Sequence, residues 1–126
     1  MNLLRPQIAV VDDEDSVRKA LERLLRSAGM EVETFASGAD FLAAGPGLTL
    51  DCVVLDLHMP RVSGFEVQRQ LAALTHKVSV VVITGHDTPE SRARALAGGA
   101  FAYLLKPVDE QVLLDAIAAA ISSKGL

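Results

Sequence analysis

A single cysteine, Cys52, leaves the chain without an internal disulfide, and because it heads a run of buried-type residues it reads as a packed small hydrophobe. Long hydrophobic runs are missing as well. The longest, such as Val80-Val-Val-Ile83, fall far short of the ~20 residues that span a bilayer, and the N-terminus lacks the charged-then-apolar pattern of a secretory signal. No membrane partner is expected, and the expected location is cytoplasmic. Basic excess is absent: 12 Lys and Arg against 16 Asp and Glu leave a net charge of −4, with the basic residues scattered, so this chain alone should not grip nucleic acid. Histidine is scarce. His58, His76 and His86 lack metal-site spacing, and none stands beside a serine or cysteine in a triad-like pattern, which removes the basis for that kind of nucleophilic hydrolase. His76 reads as a loop residue.

What is present is regular. At 126 residues, 50% of them apolar, the chain is long enough for one core and too short for two. Residues 1–126 are read as a single domain, with its core at about 5–122 and 122–126 as a tail or the start of a linker. Short segments rich in β-branched or aromatic residues occur at Ile8 to Val11, Glu31 to Phe35, Cys52 to Leu55, Val78 to Ile83 and Ala100 to Leu105. Four of them are nearly continuous apolar runs, as strands covered on both faces should be, whereas the segment at 31–35 alternates and fits an edge. Helical spacing lies between them. The first helix places Val17, Leu21, Leu24, Leu25 and Ala28 on one face and ends at Gly29, a residue suited to a left-handed cap. A weaker helix covers Ser37 to Ala43, before a loop at Gly45-Pro-Gly47. Gly64 to Leu74 shows Phe65, Val67, Leu71 and Leu74; Asp87-Thr-Pro-Glu90 opens a helix that stops at Gly98-Gly99. The last runs from about Asp109 to Ile121, with Val112, Leu113, Ala116, Ile117, Ala120 and Ile121 apolar.

Five strands alternating with five helices imply right-handed crossovers and a doubly wound α/β fold, a parallel sheet covered on both faces. A five-strand chain of this kind suits the flavodoxin-like order 2-1-3-4-5, and its ligand crevice lies beyond the carboxyl ends of strands 1 and 3. Strand 1 ends in Asp12-Asp-Glu-Asp15 and strand 3 in Asp56, so carboxylates from both segments converge. Strand 4 ends in Thr84-Gly85 and strand 5 in Lys106-Pro107, which adds a hydroxyl and an ammonium. Glu14 and Asp15 read as first-turn acids that complement the helix dipole. Helix capping can explain only one of Asp12 and Asp13. Three carboxylates in one crevice repel one another unless a cation sits among them, and magnesium, or manganese in its place, suits such oxygen ligands where zinc does not. Proline after Lys106 biases that backbone towards an extended form and permits a cis peptide. His58 and His86 fall near the pocket mouth, where they bear on access or hydrolysis rather than on catalysis.

Asp12-Asp13, Asp56 followed by Met59-Pro60 and Gly64, Thr84-Gly85 and Lys106-Pro107 together resemble the receiver domain of two-component response regulators, the CheY-like family. The resemblance covers roughly residues 5–122 in the family's motif order, and the phrases Asp-Leu-His-Met-Pro, Thr-Gly-His and Leu-Leu-Lys-Pro-Val are most similar to the FixJ-like branch of transcriptional regulators. It implies that Asp56 is the phosphoacceptor, taking a phosphoryl group from a sensor histidine kinase or a small phosphodonor. It further implies that Asp13 and Asp56 bind magnesium through side chains, Asp12 through a water and His58 through its backbone carbonyl. Lys106 and Thr84 would contact the phosphoryl oxygens, and Tyr103 would be the aromatic switch residue. The surface of helix 4, strand 5 and helix 5 would report the change and support a phosphorylation-dependent homodimer. DNA would be reached only through an output domain absent from these residues. The chain is not expected to be a turnover enzyme.

Three alternatives stand beside this. A flavin carrier on the same strand order needs a neutral phosphate loop, where this sequence has four consecutive acids, Asp12 to Asp15. A magnesium-dependent phosphohydrolase with an aspartyl nucleophile often has a second acid two residues on, where His58 stands. A phosphorylation-independent adaptor would not need the whole set of acids, Thr84 and Lys106.

Overall fold

The computed structural model describes residues 5–44, 49–74 and 78–124. The loop expected at Gly45 to Gly47, and His76, lie outside them. The elements alternate: β1 (Gln7–Val11), α1 (Asp15–Ser27), β2 (Glu31–Phe35), α2 (Gly38–Ala44), β3 (Cys52–Asp56), α3 (Gly64–Ala72), β4 (Ser79–Thr84), α4 (Pro89–Ala97), β5 (Ala102–Leu105) and α5 (Glu110–Lys124). The five strands form one parallel sheet in the order β2-β1-β3-β4-β5.

Side-chain alternation divides the core. Ile8, Val10, Cys52, Val54, Val81 and Ile83 point to one face, where they meet Leu21 and Leu25 of α1 and Leu113, Ile117 and Ala120 of α5. Ala9, Val11, Val53, Leu55, Val80 and Val82 point to the other, against Phe41 of α2, Val67 and Leu71 of α3 and Ala95 of α4. Every residue of β3 is buried, so the middle strand is packed on both faces with little room to move. Among the described residues no helix is long and apolar enough to cross a membrane.

The element bounds differ from expectation in informative places. The run at Ala100 to Leu105 is not a strand covered on both faces: β5 is the second edge of the sheet, and Phe101 and Leu105 stay 44% and 46% exposed. Continuous apolarity here records a water-facing apolar edge, which the strand pattern alone does not distinguish from burial. Leu74 lies past the end of α3 and Val112 on the outer side of α5, both exposed, so neither belongs to the core. In place of a further apolar residue, α3 buries Gln68, whose Nε2 donates to the Ala95 carbonyl at 2.9 Å and ties α3 to α4. Helix α5 continues past Ile121 through Lys124, so the residues read as the start of a tail prolong the helix.

Between β3 and α3, Arg61 adopts φ 67°, a left-handed conformation that costs a residue with a Cβ about 1 kcal/mol or more. Arg61→Gly is therefore expected to stabilise the fold by about 0.5–1 kcal/mol after the extra freedom of glycine in the unfolded chain is counted. Urea unfolding reads this as a higher midpoint at unchanged slope; a lower midpoint would show that the arginine side chain contributes more than the conformation costs.

Candidate functional site

The end of β3 and the segments that follow β1, β3, β4 and β5 border one cleft of about 230 Å³, lined by Asp13, Glu14, Asp56, His58, Gly85, His86 and Lys106. Asp12 follows β1 directly and is fully buried; its Oδ1 accepts the Glu14 N–H at 2.9 Å and its backbone carbonyl accepts Arg18 Nη1 at 2.8 Å. That anchoring fixes the start of α1 to the floor of the cleft. Asp13 is exposed beside it. Asp56 is the last residue of β3, paired in register with Ile83 and only 3% exposed. The carboxylates of Asp12, Asp13 and Asp56 each offer an oxygen within 4.8 Å of the others.

Lys106 enters from the opposite wall. Its backbone N–H donates to the Thr84 carbonyl at 2.8 Å, the Lys106-Pro107 peptide is cis, and its Nζ lies 2.8 Å from Glu14 Oε1, 3.0 Å from Asp12 Oδ2 and 3.7 Å from Asp56 Oδ1. The contact with Asp12 Oδ2 is an ion pair outside hydrogen-bond geometry, since that oxygen has no hydrogen-bond donor among the described residues. Thr84, the fully buried last residue of β4, has its hydroxyl engaged locally: Oγ1 accepts the His86 N–H at 3.0 Å and donates to the His86 carbonyl at 3.3 Å. The rings of His58 and His86 meet edge to face at the cleft mouth, centroids 5.3 Å apart. Tyr103, on the same face of β5 that Thr84 occupies on β4, is buried under the Arg92 guanidinium, 4.8 Å from its ring centre. Among the described residues its hydroxyl has no hydrogen-bond partner of ordinary geometry, though burial first and the nearby Asp87 carboxylate second hold its pKa up.

Electrostatics follow from this crowding. Burial pushes the Asp56 carboxyl up to about 7, and the Asp12 carboxylate adds to the rise; Lys106 and the His58 N–H oppose it, and Asp13 adds again. For Lys106, burial works downward, but the carboxylates of Glu14, Asp12 and Asp56 outweigh it, so the ammonium is held above its ordinary range. The hydrogen bond from Lys106, and then its charge, lower the Glu14 carboxyl. Three mutually close carboxylate oxygens, without imidazole or thiolate in the group, fit a hard divalent cation such as magnesium, whose charge would relieve the repulsion that raises Asp56.

Asp12, Asp13, Asp56 and Lys106 come together there, whereas the Thr84 hydroxyl is buried beside them and bonded to His86. Glu14 corrects the sequence reading, because it is the N-cap of α1 yet turns its carboxylate to Lys106 instead of serving merely the helix dipole. Asp15 keeps the helical role and pairs with Arg18. No local signal marks Glu14, since its partner is 92 residues away.

Comparison with known proteins agrees with the geometry. The family profile described as "Response regulator receiver domain" matches residues 8–118. The transcriptional regulatory protein TdiR of Thauera aromatica is 42% identical over 91% of this chain and 51% of its own length, and the transcriptional regulatory protein FixJ of Azorhizobium caulinodans 38% over 90% and 54%. The crystal structure of a response regulator receiver protein from Burkholderia phymatum superposes with a TM-score of 0.82 at 44% identity, covering 94% of this chain and 96% of that one. The chain spans about half the length of the curated relatives it matches. It belongs to the CheY-like receiver-domain family of two-component response regulators.

Proposed function

We propose that this domain is a phosphoacceptor switch and that Asp56 takes the phosphoryl group. The observation that carries the reading is a nearly buried carboxylate at the end of the central strand, with two further aspartates within 4.8 Å and an ammonium 3.7 Å away. An Asp56 oxygen attacks the phosphorus of a phosphohistidine on a sensor histidine kinase, or of a small phosphodonor. The new P–O bond forms as the donor's P–N or P–O bond breaks, and the leaving group takes its proton from water. Asp13 and Asp56 would hold magnesium by their side chains, Asp12 through a water and His58 through its backbone carbonyl. When bound, the cation neutralises the carboxylates and the incoming phosphoryl oxygens.

Lys106 supplies the fixed positive charge on the other wall. Thr84 exchanges its two bonds with His86 for one to a phosphoryl oxygen, and Tyr103, packed on the same side of the sheet, follows its movement. Both arrangements pre-exist, and the phosphoryl group favours the one in which its oxygens have partners. The exposed apolar residues Leu96, Phe101, Leu105 and Val112 on the α4, β5 and α5 surface suit a phosphorylation-dependent homodimer. DNA is reached through an output domain elsewhere in the polypeptide or through a partner, in the cytoplasm, with no turnover of a separate substrate. Incubation with acetyl phosphate and magnesium is expected to add one phosphoryl group, mapped by mass spectrometry to the peptide holding Asp56. An unlabelled protein, or a label on another residue, would overturn the assignment.

A further inference from the structure

Lys106 is closer to Glu14 than to the residue it is proposed to serve. Its Nζ bridges Glu14 Oε1 at 2.8 Å and buried Asp12 Oδ2 at 3.0 Å but lies 3.7 Å from Asp56 Oδ1, beyond an ordinary hydrogen bond. The Lys106 side chain is 13% exposed, whereas Glu14 is 58% exposed, so the pair spans the mouth of the cleft from its buried wall to its rim. Glu14 is held there by its backbone: its N–H donates to Asp12 Oδ1, and at the N-cap position of α1 its carbonyl accepts the Arg18 N–H at 2.9 Å, while its side chain makes no cap bond. The carboxylate that draws Lys106 outward is thus mounted on the same aspartate that floors the site.

Resting on the function proposed above, we infer that Glu14 is a positioning residue that latches Lys106 at the rim of the cleft and so sets the free energy of switching. A phosphoryl oxygen on Asp56 needs the ammonium at hydrogen-bond distance, and the ammonium can come fully inward only by lengthening or sharing its bond to Glu14. The latch opposes the activated state by what that bond contributes at the cleft mouth. Because the pair is partly solvated, its effect is modest, about two- to fivefold in the equilibrium.

The reach of the side chain separates this role from the two simpler ones, helix capping and general negative charge. Glu14→Gln removes the charge. Glu14→Asp keeps both the charge and the helix-terminal carboxylate but withdraws the oxygen by one methylene, too short for Lys106. Beryllofluoride with magnesium, a stand-in for the phosphoryl group, is expected to bind about two- to fivefold more tightly to both variants by calorimetry. The gain should vanish when either change is made in a Lys106→Ala background. Side-chain NMR of the Lys106 ammonium gives a second reading that needs no phosphoryl analogue: its slowly exchanging signal should be present in the unsubstituted protein and lost in both variants. Tighter binding in Glu14→Gln alone would assign the effect to charge and overturn the latch, as would an unchanged Lys106 signal. If the ammonium signal responds but beryllofluoride does not bind the unsubstituted protein, the Glu14 to Lys106 contact stands, while the function proposed for Asp56 fails and the latch loses its role in switching.

Discussion

Asp56→Asn is expected to abolish phosphoryl labelling and, in buffer containing a chelator, to make the protein more stable than the unsubstituted one above pH 7 while leaving the two alike near pH 4. The first effect follows from loss of the nucleophile. The second follows from linkage. The Asp56 carboxyl has a pKa raised from 3.8 to about 7, chiefly by burial and next by Asp12. Between those values the folded protein holds a proton that the unfolded chain has released, so stability from this group is fully present below about pH 4 and is lost as the pH rises to 7. A rise of about three pKa units would correspond to ~4 kcal/mol, but the cleft opens to water, and about 1–2 kcal/mol is the expected gain for the neutral amide. Asparagine keeps the size of the side chain and its acceptor for the His58 N–H. Thermal unfolding across pH 4 to 8 measures the difference; parallel curves for the two proteins would place the strain somewhere other than Asp56. Magnesium should narrow the gap above pH 7, since a cation stabilises the carboxylate form more than the amide.

The same cleft shows how far the sequence could be read. Strand order was legible because apolar segments with the period of buried strands alternated with helical spacing, and that order alone places Asp12, Asp13 and Asp56 at one switch point. Groups at strand ends are predictable for this reason: the ladder fixes where a strand stops. Glu14 was not legible, since its identity as an acid in a first turn has a sufficient local explanation and its contact with Lys106 depends on the depth of the cleft and on side-chain reach. Arg61 carries no mark of its left-handed backbone, because arginine is not a residue chosen for that conformation. Gln68 carries no apolar signal, and only the approach of α4 shows that a carbonyl there needs a buried donor. Apolar β5 was read as covered on both faces because composition reports affinity for a nonpolar surface, not whether that surface lies within the same chain.

The largest loss of stability is expected at Gly64, read from sequence as the start of a helix and as part of the motif that follows Asp56. A Cβ there would lie 2.5 Å from the Asp56 carbonyl oxygen and 2.7 Å from Leu57 Cα, both backbone atoms, and 3.1 Å from Leu57 Cδ2. Neither backbone atom can turn away as a flexible side chain would. Asp56 ends a strand that is buried along its whole length, and Leu57 continues it as a fully buried residue whose N–H donates to Ile83 and whose carbonyl accepts the Gly64 N–H at 2.9 Å. Relief therefore has to come from moving the start of α3 away from β3, which stretches that hydrogen bond and loosens Val67 and Leu71 against the sheet. Gly64→Ala is expected to cost about 2–3 kcal/mol. Gly29 provides the contrast: it has φ +89° but nothing within 4 Å of an added Cβ, so Gly29→Ala should cost about 1 kcal/mol through backbone conformation alone. The two also differ in reach. Whatever strain the shift of α3 leaves falls on the Asp56 carbonyl, and a displacement of a few tenths of an ångström there should slow labelling by acetyl phosphate in Gly64→Ala under conditions where it remains folded, whereas Gly29→Ala, at the far end of α1, should label normally. Equal urea midpoints for the two variants, or normal labelling of folded Gly64→Ala, would mean that α3 can shift without disturbing β3 or the aspartate it presents.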